Sequence, residues 1–166
     1  MGCKALFIGG IKSGKSINAE LYTLENSDKK PIYLATNEFF DDEMHKRVEK
    51  HKTQRQDNFV TIEEPLVLSR IINSFDSTVL IECVSMWINN MLYHGFDEDD
   101  MIEEIQKISE LKSGIVFVIN DVSCSVVSEN ALTRKFVDIN GRISQLLASK
   151  CDEVYNTVAG ISIKIK

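Results

Sequence analysis

Proline is scarce, with two residues in 166, and that excludes collagen-like or Pro-rich linker sequences. The four cysteines, Cys3, Cys83, Cys124 and Cys151, are scattered, with no C-x-x-C pair and no zinc spacing. They read as reduced, half-buried thiols, and neither a disulfide scaffold nor a structural zinc site is expected. No run of about 18 apolar residues occurs, so no helical membrane span is expected. The N-terminus lacks a charged region followed by a long apolar stretch, and a cytoplasmic location is the expectation. Basic residues are outnumbered: 19 Lys and Arg against 25 Asp and Glu leave a net charge of −6. The chain as a whole therefore does not attract nucleic acid or an anionic membrane, and any phosphate binding must come from a local arrangement.

Hydrophobic residues make up 43% and charged residues 27% of the chain, which is ordinary for a globular protein of one domain, here residues 1–166. Short β-rich runs alternate with helical patterns. "CKALFIG", "PIYLATN", "FVTIE", "TVLIECV" and "GIVFVIN" read as strands. "KSINAELYTLEN", "DDEMHKRVEKHKTQR", "PLVLSRIINSF", "SMWINNMLY" and an acidic, mostly solvent-facing "DEDDMIEEIQKISELKS" read as helices. In "ENALTRKFVDINGRISQLLASK", Leu132, Phe136, Ile139, Ile143 and Leu146 recur at steps of four and three, which predicts a long amphipathic helix. "DEVYNTVAGISIKIK" ends the chain as two short strands around Gly160. Continuous apolar strands between helices imply a three-layer α/β domain with a mainly parallel sheet, closed by an antiparallel C-terminal edge hairpin.

The most informative stretch is "GGIKSGKS", Gly9 to Ser16, which follows the strand "ALFI" and opens a helix. Gly9, Gly14, Lys15 and Ser16 fit G-x-x-x-x-G-K-[ST] in the strand–loop–helix setting that this motif requires. Glycines let successive N–H groups turn inward toward phosphate oxygens, and the helix adds unpaired N–H groups and the positive end of its dipole. Lys15 supplies a point charge for the β and γ phosphates and Ser16 a hydroxyl for Mg²⁺. The pattern says nucleoside triphosphate without saying what the triphosphate is used for. A carboxylate at the end of a neighbouring strand would complete a magnesium site. Glu82 closes "VLIE" and Asp121 follows "VFVIN"; Glu82 is preferred, because an ionisable group closing a buried strand is costly unless used. A carboxylate capping the following helix is the alternative for each.

Among the three histidines, His45, His51 and His94, His51 shares a helix face with Met44 and Val48, with Lys52 and Arg55 within the next turn. On spacing alone a half-buried structural histidine is the simpler reading. A neutral imidazole there could also attack phosphorus, with the cations holding the phosphates. His94 precedes Gly95 at a helix end, where it suits the dipole.

Taken in order, "GGIKSGKS", "YLAT", "DDEM", His51 with Arg55 four residues later, "TIEEP", "LIECVSMWINNML", "ENALTRKFVDINGRISQ" and "DEVYNTVAGISIKIK" resemble the bifunctional adenosylcobinamide kinase / adenosylcobinamide-phosphate guanylyltransferases of cobalamin biosynthesis. The resemblance runs through nearly the whole chain. It implies two reactions: phosphorylation of adenosylcobinamide by ATP or GTP, then transfer of GMP from GTP, through a histidine, to the cobinamide phosphate. The matching histidine is His51. The resemblance also implies nucleotide contacts from Gly9, Gly10, Ile11, Lys12, Ser13, Gly14, Lys15 and Ser16, from Ala35, Thr36 and Asn37, from Lys52, Thr53, Gln54 and Arg55, and from Glu63 and Glu82. Mg²⁺ would fall to Ser16 and Glu82, and a homotrimer is implied. The chain departs from the family pattern after Asn120, where "NDVSCSVVSEN" carries Asp121 in place of glutamate, Ser123 and Ser125 in place of glycines and Ser128 in place of proline. Two other readings use the same loop: a different P-loop small-molecule kinase in which His51 is structural, and a nucleotide-binding regulatory protein without turnover.

Overall fold

The structure is a computed structural model that describes residues 2–38, 56–123 and 127–166. The expected helix from Asp41 to Arg55 and Cys124 lie outside the described residues. In chain order the elements are β1 (Lys4–Gly9), α1 (Lys15–Glu25), β2 (Ile32–Ala35), a 3-10 turn (Gln56–Asn58), β3 (Val60–Glu63), α2 (Leu68–Ile72), β4 (Val79–Glu82), α3 (Val84–Tyr93), α4 (Glu98–Glu110), β5 (Ile115–Asn120), α5 (Ala131–Lys150), β6 (Glu153–Val158) and β7 (Ile161–Lys164). The strands form one sheet in the order β3-β2-β4-β5-β1-β6-β7. Every pairing is parallel except β6 with β7, so the expected edge hairpin is present. Because β5 and β4 follow β1 on one side, the carboxyl ends of all three strands lie side by side, where a doubly wound sheet holds ligands.

The central strands are apolar at almost every position because both faces are covered. On one face Leu6, Leu34, Ile81, Phe117 and Ile119 meet Trp87, Ile88, Met101, Ile105, Ile139, Ile143 and Leu147 from α3, α4 and α5. On the other, Ala5, Phe7, Tyr33, Leu80, Val116 and Val118 pack with Ala19 and Tyr22 of α1. Helix α4 corrects an expectation. It is not mostly solvent-facing: Met101, Ile105 and Ile108 are fully buried and Glu104 nearly so. Each buried aliphatic side chain contributes about 1.5–3 kcal/mol. Glu104 accepts hydrogen bonds from Ser69 N (2.7 Å) and Ser69 Oγ (3.1 Å), holding the start of α2. The helix starts at a capping box, with Asp100 N on Asp97 Oδ1 at 3.1 Å and Asp97 N on Asp100 Oδ2 at 2.9 Å.

Helix α5 buries Ile139, Ile143 and Leu147, with Phe136 and Leu146 partly covered, but Leu132 remains 65% exposed. Its first two turns run ahead of the core, so periodicity there no longer reports burial. Cys83 and Cys151 are buried free thiols, whereas Cys3 is exposed. Burial pushes both buried thiols up to about 12, the Glu82 charge adding to the effect at Cys83. Both are therefore inert near neutral pH. No helix among the described residues is long and apolar enough to cross a membrane.

Candidate triphosphate site

Strand β1 delivers the chain to Gly9, and α1 takes it up again at Lys15. Between them the loop folds back on itself: Ser13 N donates to Gly10 O at 3.2 Å. The turn requires positive φ at Lys12 (57°) and Gly14 (94°). Glycine meets the second requirement without strain, while lysine bears a cost of about 1 kcal/mol at the first. Gly14 occupies the cap position of α1 and supplies no side-chain bond to the first turn. The first-turn amides are therefore available to an anion.

Lys15 is 6% exposed, and its ammonium donates to Gly10 O at 3.1 Å. The charge is held against a loop carbonyl, inside the ring that a phosphate would enter. Ser16 Oγ donates to Glu82 Oε1 at 2.8 Å. Glu82 is the last residue of β4 and does not cap α3. That position belongs to Cys83, whose sulfur accepts from Met86 N at 3.4 Å. A hydroxyl and a carboxylate side by side next to the loop are hard oxygen donors of the kind Mg²⁺ takes, with phosphates and water completing the shell. No group of three or more His, Cys, Asp or Glu suited to a metal exists among the described residues.

Asp121 is placed differently. Its N–H donates to Gly9 O at 2.8 Å, while its carboxylate accepts from Ser123 N (2.9 Å) and Ser123 Oγ (2.5 Å). It shapes its own turn and caps no helix. Behind it lies a buried polar triangle. Ser85 Oγ donates to Asn140 Oδ1 (2.7 Å), Asn120 N donates to Ser85 Oγ (3.0 Å), and Asn140 Nδ2 donates to Asn120 O (3.0 Å). This triangle locks the end of β5 to α3 and α5. Sequence patterning did not single it out, because Ser85, Asn120 and Asn140 are far apart in the chain.

The remaining expected residues are distributed as follows. Ala35 is buried at the end of β2, and Glu63 is exposed at the end of the edge strand β3. Thr36 is fully buried. Its Oγ1 donates to Cys83 O (2.8 Å) and accepts from Cys83 N (3.0 Å), which clamps β2 to the chain just beyond Glu82. Asn37 is half-buried. Asn90 Nδ2 donates to Thr36 O at 2.6 Å, tying α3 to the same point. His94 ends α3 as expected, and its Nε2 lies 2.8 Å from Glu38 Oε2. His51, Lys52, Thr53, Gln54 and Arg55 lie outside the described residues.

A mainly parallel sheet whose first loop carries the Lys15–Ser16 pair against a strand-end carboxylate defines a P-loop nucleotide-binding enzyme. Solved structures agree on the fold. The flagellar accessory protein FlaH from Methanocaldococcus jannaschii superposes with a TM-score of 0.50 at 14% identity, over 98% of this chain and 76% of that one. A type III secretion system ATPase gives 0.53 at 11%, over 94% and 51%. The chain belongs to the cobinamide kinase / cobinamide phosphate guanyltransferase family, whose profile matches residues 5–165. It is 34% identical to the bifunctional adenosylcobalamin biosynthesis protein CobU of Escherichia coli K12, over 97% of this chain and 98% of the relative. It is 32% identical to CobP of Pseudomonas aeruginosa, over 97% and 96%.

Proposed function

We propose that this chain carries out both reactions of its family, with one loop holding the triphosphate in each. In the first, the aminopropanol hydroxyl of adenosylcobinamide attacks the γ-phosphorus of ATP or GTP. An O–P bond forms, the bond to the β–γ bridging oxygen breaks, the hydroxyl proton leaves and a nucleoside diphosphate departs. In the second, an imidazole nitrogen of His51 attacks the α-phosphorus of GTP and expels pyrophosphate. A phosphate oxygen of the cobinamide phosphate then displaces the imidazole and takes the GMP. Splitting one displacement into two lets each proceed with a good leaving group.

What the chain's own residues supply is positioning and charge. The loop amides and Lys15 neutralise the phosphate tail, and such transfers need placement more than covalent help. Ser16 and Glu82 would hold Mg²⁺, which when bound supplies charge neutralisation at the phosphate oxygens. Ala35 to Asn37, Lys52 to Arg55 and Glu63 complete the nucleotide contacts in this reading. The observation that carries it is the Ser16–Glu82 bond beside Lys15, in a chain of this family. We further propose a cytoplasmic homotrimer. Among the described residues β7 is an outer strand of the sheet, and Ile161 and Ile163 on it, with Ile165 just beyond, are 66%, 62% and 63% exposed, which supports copy-to-copy contact there.

The test is incubation of the full chain with α-labelled GTP and Mg²⁺. Wild type should retain acid-labile label and release it on addition of adenosylcobinamide phosphate. His51→Ala should retain none, yet still phosphorylate adenosylcobinamide. Absence of label on the wild type, with kinase activity intact, would leave a kinase alone and refute the two-reaction reading. Light scattering at three chain masses checks the trimer.

A further inference from the structure

We propose that the β6–β7 turn is the back wall of the phosphate loop, and that Asn18 is a positioning residue pinning it there. The turn is Ala159–Gly160, both with positive φ (51° and 84°). Gly160 N donates to Ser13 O at 2.7 Å, and Gly160 O accepts from Asn18 Nδ2 at 3.0 Å. Both backbone groups of Gly160 are thus spent on the loop and on the first turn of α1, some 140 residues away in sequence.

The consequence follows from peptide geometry. In a trans peptide the C=O and the next N–H point in opposite directions. By taking the Ser13 carbonyl, Gly160 turns the Gly14 N–H away from the hairpin and toward the side a phosphate would occupy. An anion-binding loop needs that orientation, because a carbonyl swung inward would repel the ligand. Packing enforces it. A Cβ on Gly14 would lie 2.9 Å from Gly160 Cα. One on Gly9 would lie 2.5 Å from Thr157 O. Gly14 is therefore required twice, by its φ and by the turn behind it, whereas a Cβ on Gly160 would meet nothing within 4 Å. Gly160 is required for its φ alone.

This inference rests on the loop being the triphosphate cradle, so wild-type binding of GTP with Mg²⁺, by calorimetry, comes first. Asn18→Ala should then weaken GTP and inorganic tripolyphosphate about three- to tenfold. Guanosine, which has no phosphate tail, should bind unchanged. In turnover the triphosphate KM should rise by a similar factor, with kcat, acceptor KM and melting temperature held. Gly160→Ala, whose only cost is backbone strain, should move the same quantities in the same direction. Unchanged GTP affinity in both variants would overturn the proposal while leaving the triphosphate site standing. A fall in melting temperature with equal losses for GTP and guanosine would also overturn it, by reducing the turn to a support of the fold. Failure of the wild type to bind GTP would instead sink the reading of the loop itself.

Discussion

Polar groups are paired at both ends of the parallel strands, the amino edge and the carboxyl edge, but the pairs are used in opposite ways. At the amino edge, where the parallel strands begin, the charges are paired with one another and with the backbone. Lys4 Nζ donates to Leu111 O at 3.0 Å, Lys4 N donates to Asp152 Oδ2 at 2.8 Å, and Glu153 takes Tyr22, Tyr155 and Lys164. A cleft of about 450 Å³ opens there, lined by Cys3, Tyr22, Lys29, Asp76 and Lys112 among others. At the carboxyl edge the contacts are ones a nucleotide could replace: an ammonium resting on a loop carbonyl and a hydroxyl resting on a carboxylate. Pairing of polar groups is common to both edges. What separates structure from chemistry is whether the partners are final.

Substitutions at the two edges should therefore separate into losses of rate and losses of stability. The largest effect is expected at Lys15. Lys15→Met keeps the stem and removes the charge, so both activities should fall about 10²–10³-fold, with the melting temperature unchanged. A fall in stability with activity retained would break the comparison at its centre. Next is Glu82→Gln, which keeps an oxygen for Ser16 Oγ. A drop of about 10- to 100-fold in kcat is expected, relieved in part by higher Mg²⁺. Rates independent of Mg²⁺ concentration would remove Glu82 from the metal's surroundings.

A sharper test uses a polar group at the carboxyl edge whose partners are already complete. Asn140 is 2% exposed and closes the triangle with Ser85 and Asn120. Asn140→Ala should cost about 2 kcal/mol, or roughly 4–8 °C in melting temperature, because it leaves the Asn120 carbonyl without its donor. The GTP KM should move little. A large rise in KM with no loss of stability would show that location, not completeness of partners, decides the role.

How far the sequence disclosed all this depends on the range of the signal. The loop was legible because its function is local: Gly9, Gly14, Lys15 and Ser16 carry the motif at fixed spacing. Glu82 was legible because a carboxylate closing an apolar strand is costly. The sheet was legible because apolar runs alternated with helical periods. The Gly160–Ser13 clasp and the Asn18 amide were not, because each ends on a backbone atom of Gly160 about 140 positions away, and a contact to backbone can be made with any residue there. Helix α4 was misjudged because its acidic residues outnumber the stripe of Met101, Ile105 and Ile108 that settles its packing. Leu132 kept the period of α5 where nothing covers it.

The smallest expected effect lies at the amino edge, where it tests the other half of the comparison. Lys164 beside it, then the hydroxyls of Tyr155 and Tyr22, hold the Glu153 carboxyl down at about 2, against an ordinary 4.5. Burial, with the Glu153 charge adding, pushes Tyr155 up to about 12. A depressed carboxyl contributes stability above its unfolded value and loses it as pH falls through its folded one. The contribution should be full at pH 7 and decline between about 4.5 and about 2. Lys164 is half exposed, so solvent discounts the ion pair, and Glu153→Gln should cost only about 1 kcal/mol at pH 7. Chemical denaturation of both proteins across that window should show the two curves converging toward low pH. Neither activity should change, since Glu153 starts β6 opposite Ala5, at the end of β1 away from the loop. If Glu153→Gln instead lowered kcat at full stability, the amino edge would be coupled to the chemistry, and the difference between the two edges would lose its meaning.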